Sequence, residues 1–432
     1  CARDNYGRYE LGVTSVCTDV CTDVCTDVGK SVYTNGRARV CRREYERRWD
    51  ESDAMNSSTA NDETITYFVD TQDSLSRLAD HLMNQSRVGV DTESNSMHAY
   101  REQVCLIQMS IPGQDFLIDP LALDSLQPLA PFFASTQVEK VFHAADYDLI
   151  VMKRDFGFHC GKLFDTMWAA RVLGWPDVGL ADILETYFDH HANKRYQRYD
   201  WGKRPLDPNA LWYARMDSHY LIDLRNLQAD ALRKMGRWQE AQEIFTYLTE
   251  TVDVPSLDRV DDFFWRIKGR RNLRPYDQRV LYALHLWRDR VAERLDRPMG
   301  RVIPNRRLVK LARIQPRNFD ELKRAGLSHG QIRRFGQEIL SVLRRKPPEL
   351  PEPPDHTRPP YEVTERYKAL KSWRKEVAAR RGVDSDIILP NAVLWKLAKS
   401  PPDDRSDLVE ITGIGPWRRD QYGSDLLELT SN

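Results

Sequence analysis

The chain has 432 residues, 41% hydrophobic and 30% charged, and its 64 Lys and Arg balance 64 Asp and Glu. That length supports two or three domains with real cores, and that composition excludes a chain too polar to collapse. No apolar run approaches the ~20 residues that span a bilayer, and the amino-terminal stretch lacks the basic-then-apolar pattern of a secretory leader. Only Cys105 and Cys160 lie beyond residue 41, which excludes a disulfide framework there. The expectation is a soluble protein of a reducing compartment, the cytoplasm, without membrane association.

Residues 1–61 do not read as a domain. The repeat CTDVCTDVCTDV places Cys17, Cys21 and Cys25 at a four-residue spacing, but β-branched residues fill every unit and no histidine joins them. Low complexity outweighs a thiolate metal site here. The first methionine is Met55, so residues 1–54 read as a tail or upstream-translated segment that the fold does not need.

From 62 to about 170 the pattern alternates. Apolar runs at 64–69, 88–90, 104–111, 115–120 and 140–144 predict strands, and 74–82 and 148–156 predict helices. Closely spaced early strands allow hairpins, and the later pattern is β-α-β, so a mixed sheet flanked by helices is expected. Residues 207–236 predict one long helix, opened by Pro208 and closed by Gly236.

The carboxy-terminal part repeats itself. Trp287-Arg288 recurs as Trp373-Arg374, Pro304-Asn305 as Pro390-Asn391, and Leu311-Ala312 as Leu397-Ala398, all at an offset of 86 residues. The closing stretch RRFGQEIL matches DQYGSDLL one residue later. A shared register over this length predicts two copies of one small helical domain. The segment between them, 347–361, is proline-rich and predicts a polyproline II spacer of ~3.1 Å per residue. Residues 263–346 carry 23 Lys and Arg against seven Asp and Glu, so the first copy is strongly basic and the rest of the chain acidic. A basic module on an acidic one suggests that one part grips a polyanion while the other binds cations or performs chemistry.

Three stretches carry candidate chemistry. RVGVDTES places Asp91 and Glu93 two apart after an apolar strand, on one face, where like charges repel. VFHAADYDLI offers His143 with acids at Asp146 and Asp148. WYARMDSHYL sets Tyr213 and Asp217 four apart on one helical face. Each stretch alone reads as a turn, a helix cap or an amphipathic face. Together, in this order, they resemble the DEDD superfamily of 3′→5′ exonucleases, in the branch whose last motif is Tyr-x-x-x-Asp. The resemblance covers about 64–250 and favours Asp148 over Asp146, because Asp148 directly precedes the apolar helical run.

What the resemblance implies is concrete. The fold is a ribonuclease H-like mixed α/β sheet at 62–255, followed by all-α HRDC domains at 264–346 and 362–432 with the proline-rich linker at 347–361. Asp91, Glu93, Asp148 and Asp217 would hold two divalent cations, Mg²⁺ or Mn²⁺, with Asp91 bridging them, and Tyr213 would orient the attacking water. Such cations would also relieve the repulsion between Asp91 and Glu93. The stretch QRYDWGKRPLDP resembles ribonuclease D-type members, which implies that Trp201, Lys203 and Arg204 contact the 3′-terminal nucleotides. His143 and Gln108 are further substrate-contact candidates. The second helical copy contains ITGIGPWRRDQYG, similar to a helix-hairpin-helix turn whose glycines bring backbone N–H groups to a phosphate. The implied activity is trimming of RNA with a single-stranded 3′ end, transfer-RNA precursors among them, by a monomer that releases nucleoside 5′-monophosphates. The rivals are a DNA exonuclease of repair or proofreading type and an RNA-binding protein with an inactive exonuclease fold.

Overall fold

The computed structural model describes residues 54–55, 64–191, 194–254, 260–353 and 358–431. The CTDV repeat, the cysteines within it and the centre of the proline-rich linker lie outside the described residues.

A seven-stranded sheet forms the first domain. Its strands are β1 (Ala54–Met55), β2 (Ile65–Val69), β3 (Arg87–Ser94), β4 (Val104–Ile111), β5 (Gln114–Ile118), β6 (Glu139–Phe142) and β7 (Leu163–Asp165), in the order β1-β2-β5-β4-β3-β6-β7. β3, β4 and β5 form antiparallel pairs, whereas β6 and β7 run parallel to β3. The expected mixed sheet is therefore present, but two short strands depart from expectation: β7, of three residues, and β1, which pairs Ala54 and Met55 with Tyr67 and Thr66 although 1–61 reads as no part of a domain. β4 is buried along its whole length, because helices cover both faces of the sheet. β3 does not end with its apolar part at Val90. The strand continues through both carboxylates to Ser94, with Asp91 opposite Gln108 and Glu93 opposite Leu106 on β4.

On the flanks lie α1 (Gln72–Met83), α2 (Ala130–Ala134), α3 (Asp146–Phe156), α4 (Thr166–Leu173) and α5 (Leu180–Phe188). The expected single helix over 207–236 is two: α6 (Pro208–His219) and α7 (Leu221–Lys234), broken at Tyr220. The break has a steric setting. A Cβ on Gly89 of β3 would lie 2.7 Å from the Ser218 carbonyl oxygen and 3.2 Å from the Leu221 Cβ. Glycine at 89 lets the junction of the two helices rest on the strand backbone. Ser110 and Ser218 hydroxyls meet at 2.7 Å, and buried Arg215 pairs with buried Asp115 at 2.5 Å, which also takes His219. After α8 (Trp238–Glu250) the chain enters the repeated domains.

The first repeat comprises α9 (Val260–Trp265), α10 (Pro275–Arg294), α11 (Met299–Val302), α12 (Asn305–Ile314), α13 (Phe319–Arg324) and α14 (His329–Arg344). The second comprises α15 (Tyr361–Arg381), α16 (Ser385–Ile388), α17 (Asn391–Lys399) and α18 (Pro416–Thr430). The repeated residues prove to be one internal lock. Arg288 donates to the Ile303 carbonyl at 2.8 Å and to Asn305 Oδ1 at 2.7 Å, and Arg374 does the same to Leu389 and Asn391 at 2.6 and 2.9 Å. Trp287 donates to Glu338, and Trp373 to Asp425.

The linker is not a free-standing spacer. Arg279 donates to the carbonyls of Pro347 and Pro348, and Trp265 to that of Glu352, so its first half lies along the first repeat. The first repeat also holds the loop after β3: the Tyr100 hydroxyl donates to Asp289 and its backbone N–H to Asp296. The second repeat docks on the exonuclease-like domain. Arg381 pairs with fully buried Glu240, and Arg171 pairs with Asp384 and Asp386.

The glycine turn of the second repeat departs from expectation. Its backbone N–H groups face a carboxylate of the same chain: Trp417 donates to Glu243 Oε1 at 2.5 Å and Arg418 to Oε2 at 3.3 Å. A Cβ on Gly415 would stand 2.4 Å from the Glu243 Cδ, so glycine makes room for the acid rather than for a phosphate. Glu243→Ala would leave these donors unpaired at a cost of about 1–3 kcal/mol. It is expected to loosen the second repeat, read as faster proteolysis between 346 and 361 and a lower melting temperature.

Candidate active site

β3, α3 and α6 bring the sequence candidates together. Carboxylate oxygens of Asp91, Glu93 and Asp217 all lie within 4.8 Å of one another, in a half-buried setting. β3 supplies two of them by its two-residue period, and α6 supplies the third because its end rests on Gly89. Asp148 stands beside this trio. It sits in the first turn of α3, where the helix dipole favours an anion, and accepts a hydrogen bond from the Thr92 hydroxyl. Asp146 instead receives the Trp168 indole N–H at 3.0 Å.

The electrostatics are those of like charges held together. Burial, and then Asp148, Asp217 and Glu93, push the Asp91 carboxyl well above its ordinary value. Burial followed by repulsion from Asp217 and Asp148 does the same to Glu93. Burial raises Asp148 and Asp217 to about 7 each, against opposing hydrogen bonds from Thr92 and Tyr213 respectively. The Tyr213 phenol is raised far above 10 by burial and by the surrounding acids, so it stays protonated and donates to Asp217. Three hard oxygen donors with unfavourable mutual charge and no basic partner in the trio fit a divalent cation.

The expected substrate contacts fare differently. Trp201 is 1% exposed, packed among Leu106, Leu206 and Leu211, so it cannot stack on a nucleotide. Its indole N–H faces Glu93 without meeting hydrogen-bond geometry, and that approach favours the Glu93 anion. Arg204 is spent on Asp119, at 2.5 and 2.6 Å, and on the carbonyls of Cys105, Trp201 and Lys203. Gln108 is wholly buried with no hydrogen-bond partner for its amide, directly across the strand pair from Asp91. It backs the carboxylate instead of reaching RNA. His143 Nδ1 lies 2.9 Å from the Thr166 hydroxyl, and burial pushes its pKa down to about 4, so it brings no positive charge.

What the sequence reading missed is the cavity next to the carboxylates. A space of about 570 Å³ is lined by Tyr213 and Asp217 on one side and by Arg195, Tyr196, Asn209 and Trp212 around it. Trp212 is 39% exposed. Only Trp212 adjoins a motif residue in sequence, and nothing in the pattern distinguishes it from a packed side chain. The cavity size suits a nucleotide-scale ligand.

Comparison with known proteins agrees with this geometry. Residues 66–234 match the family model for a 3′-5′ exonuclease, and 277–343 and 363–430 each match the HRDC domain. The chain is 32% identical over 300 residues to the exosome complex exonuclease RRP6 of Saccharomyces cerevisiae, covering 66% of this chain and 41% of that protein. It is 31% identical over 263 residues to exosome complex component 10 of Homo sapiens, covering 59% and 30%. The match thus spans less than half the length of these relatives. Among solved structures, the catalytic core of RRP6 from Trypanosoma brucei superposes with a TM-score of 0.58 at 26% identity, covering 69% of this chain and 84% of that one. Escherichia coli RNase D shares the fold, with a TM-score of 0.61 at 24% identity over 85% and 98% of the two chains.

Two outcomes follow from the packing and the charges. Gly89→Ala forces the strand and the α6–α7 junction apart at a cost of roughly 1–3 kcal/mol. It is expected to lower the melting temperature and to weaken Mn²⁺ binding measured by calorimetry. A carboxyl raised in the folded state destabilises the metal-free protein as pH climbs from its unfolded value near 3.8 through its folded value. Asp217→Asn in EDTA should therefore raise the melting temperature by roughly 2–4 °C at pH 8. The gain should vanish at pH 4 and reverse when a divalent cation is added.

Proposed function

We propose that this chain, which joins a DEDD-type 3′-5′ exonuclease domain to two HRDC domains, hydrolyses RNA from its 3′ end and releases nucleoside 5′-monophosphates. The observation that carries the reading is the trio Asp91, Glu93 and Asp217, with Tyr213 hydrogen-bonded to Asp217 at the mouth of a nucleotide-sized cavity.

Each residue has a task. Asp91, Glu93 and Asp217 would hold one divalent cation, and Asp148, with Asp91, a second. When bound, such cations lower the pKa of a coordinated water and stabilise charge on the attacking and leaving oxygens. Tyr213 donates a hydrogen bond to Asp217, stays protonated and keeps its oxygen lone pairs for the attacking water, which it orients without acting as a base. The cavity beside Tyr213 receives the terminal nucleotide, with the exposed face of Trp212 for its base and Arg195 for its phosphate.

RNA is favoured over DNA because one sequence relative is named as an exosome complex exonuclease and another as an exosome complex component. The paired HRDC domains extend the proposal to 3′ trimming of transfer-RNA precursors and other small structured RNAs, in the cytoplasm and as a monomer. The same relatives support a second reading of the partners: work within a multisubunit exosome-like assembly.

A gel assay with 5′-labelled single-stranded RNA and its DNA counterpart, in Mg²⁺, Mn²⁺ and EDTA, tests the reading. RNA should shorten from its 3′ end only with metal, and Asp91→Asn should abolish the ladder. Tyr213→Phe should slow it by roughly 10–100-fold, the worth of one hydrogen bond to a charged group. Equal cutting of DNA would move the assignment to a DNA exonuclease.

A further inference from the structure

The duplication of the HRDC domain provides an internal control for where RNA is gripped. In the first copy, the start of α13 and the carboxy-terminal half of α14 enclose a groove of about 560 Å³, lined by Arg317, Asn318, Phe319, Gln337, Arg344 and Arg345, with Leu340 and Ser341 at its floor. Among the described residues no carboxylate lines it, and the nearby Glu321 carboxylate is taken up by the Arg317 backbone N–H and the Asn318 amide. Arg317, Arg344 and Arg345 are exposed, and their guanidinium groups make no hydrogen bond or ion pair among the described residues. Within the same domain Arg274, Arg279, Arg294 and Arg324 have acidic partners, whereas exposed Arg290, Arg301 and Arg306 share the unpaired state without lining this groove. Between the arginines the Phe319 ring is 49% exposed. It lies against Gly336, where a Cβ would come within 2.8 Å of the ring, so the glycine seats the aromatic along the groove.

The second copy keeps the scaffold and inverts the charge. The 86-residue offset puts Asp403 where the first copy has Arg317, Asp404 where it has Asn318, and Arg405 where it has Phe319. Past the one-residue shift, Gly423 takes the place of Gly336, Glu428 that of Ser341 and Ser431 that of Arg344. The Arg344 and Arg345 charges alone could be a reply to the dipole at the end of α14. Arg317 and the exposed Phe319 have no such explanation, and the matching positions of the second copy carry three acids, Asp403, Asp404 and Glu428, with Arg405 turned to the Ser424 hydroxyl.

We infer that the groove of the first HRDC domain is a single-stranded RNA site, in which Arg317, Arg344 and Arg345 bind consecutive phosphates and Phe319 stacks on a base. This rests on the exoribonuclease reading for its choice of RNA and adds the place where the strand is held away from the carboxylates. Cationic grooves with aromatic platforms bind single strands largely without regard to sequence.

The test is binding of a fluorescein-labelled single-stranded RNA to the full chain in EDTA, by anisotropy, at several salt concentrations. Because no hydrolysis is measured, failure here is separable from failure of the exonuclease reading. The variant R317S/R344S/R345S should weaken binding at least tenfold and flatten the log Kd against log salt slope by about 2, since each phosphate contact on a single strand contributes roughly 0.7. Phe319→Ala should weaken binding roughly tenfold with the slope unchanged, the mark of lost stacking. An equal charge removal at exposed Arg290, Arg301 and Arg306 should have a clearly smaller effect. Thermal melts should show all variants folded. Unchanged binding in the triple variant, or an equal loss in the control, would overturn the inference and leave only a diffuse basic surface.

Discussion

Mutual repulsion among Asp91, Glu93 and Asp217 is the constraint around which the first domain is organised. Three carboxylates within 4.8 Å would separate in a flexible chain. Here they are fixed from behind. β3 is an interior strand flanked by β4 and β6, and α6 is pinned by the buried Arg215–Asp115 pair and the Ser110–Ser218 contact. The glycine at 89 allows an approach that no other residue would permit. Stability is surrendered at this point, and a cation bound there would restore it.

Residues that resemble substrate contacts in the sequence turn out to hold this arrangement in place. Trp201 and Arg204 brace the segment that leads into α6, and Gln108 is buried across the strand pair from Asp91. The distinction is physical: aromatic and cationic side chains serve equally well to stack on RNA or to fasten a loop, and only their exposure separates the two uses.

The two HRDC copies show one scaffold put to two uses. The Trp-Arg and Pro-Asn pairs that reveal the repeat are its internal lock, which is why they persist in both. The surfaces have diverged. The second copy gives its glycine turn to Glu243 and Arg381 to Glu240, and so becomes part of the catalytic domain's support. The first copy keeps an open basic groove and also fastens the loop after β3 through Tyr100.

Local chemistry wrote much of this into the sequence. The two-residue period on β3, the four-residue spacing of Tyr213 and Asp217 and the 86-residue offset are one-dimensional facts that name the carboxylates, the mixed sheet and the duplicated helical domain. What the order of residues could not carry is what depends on approach from elsewhere in the chain. The break of the long helix at Tyr220 accompanies its rest on Gly89, more than a hundred residues away. The burial of Trp201, the filling of the glycine turn by Glu243 and the cavity beside Tyr213 were likewise decided only in three dimensions, because exposure and pairing are properties of the packed neighbours and not of the residue itself.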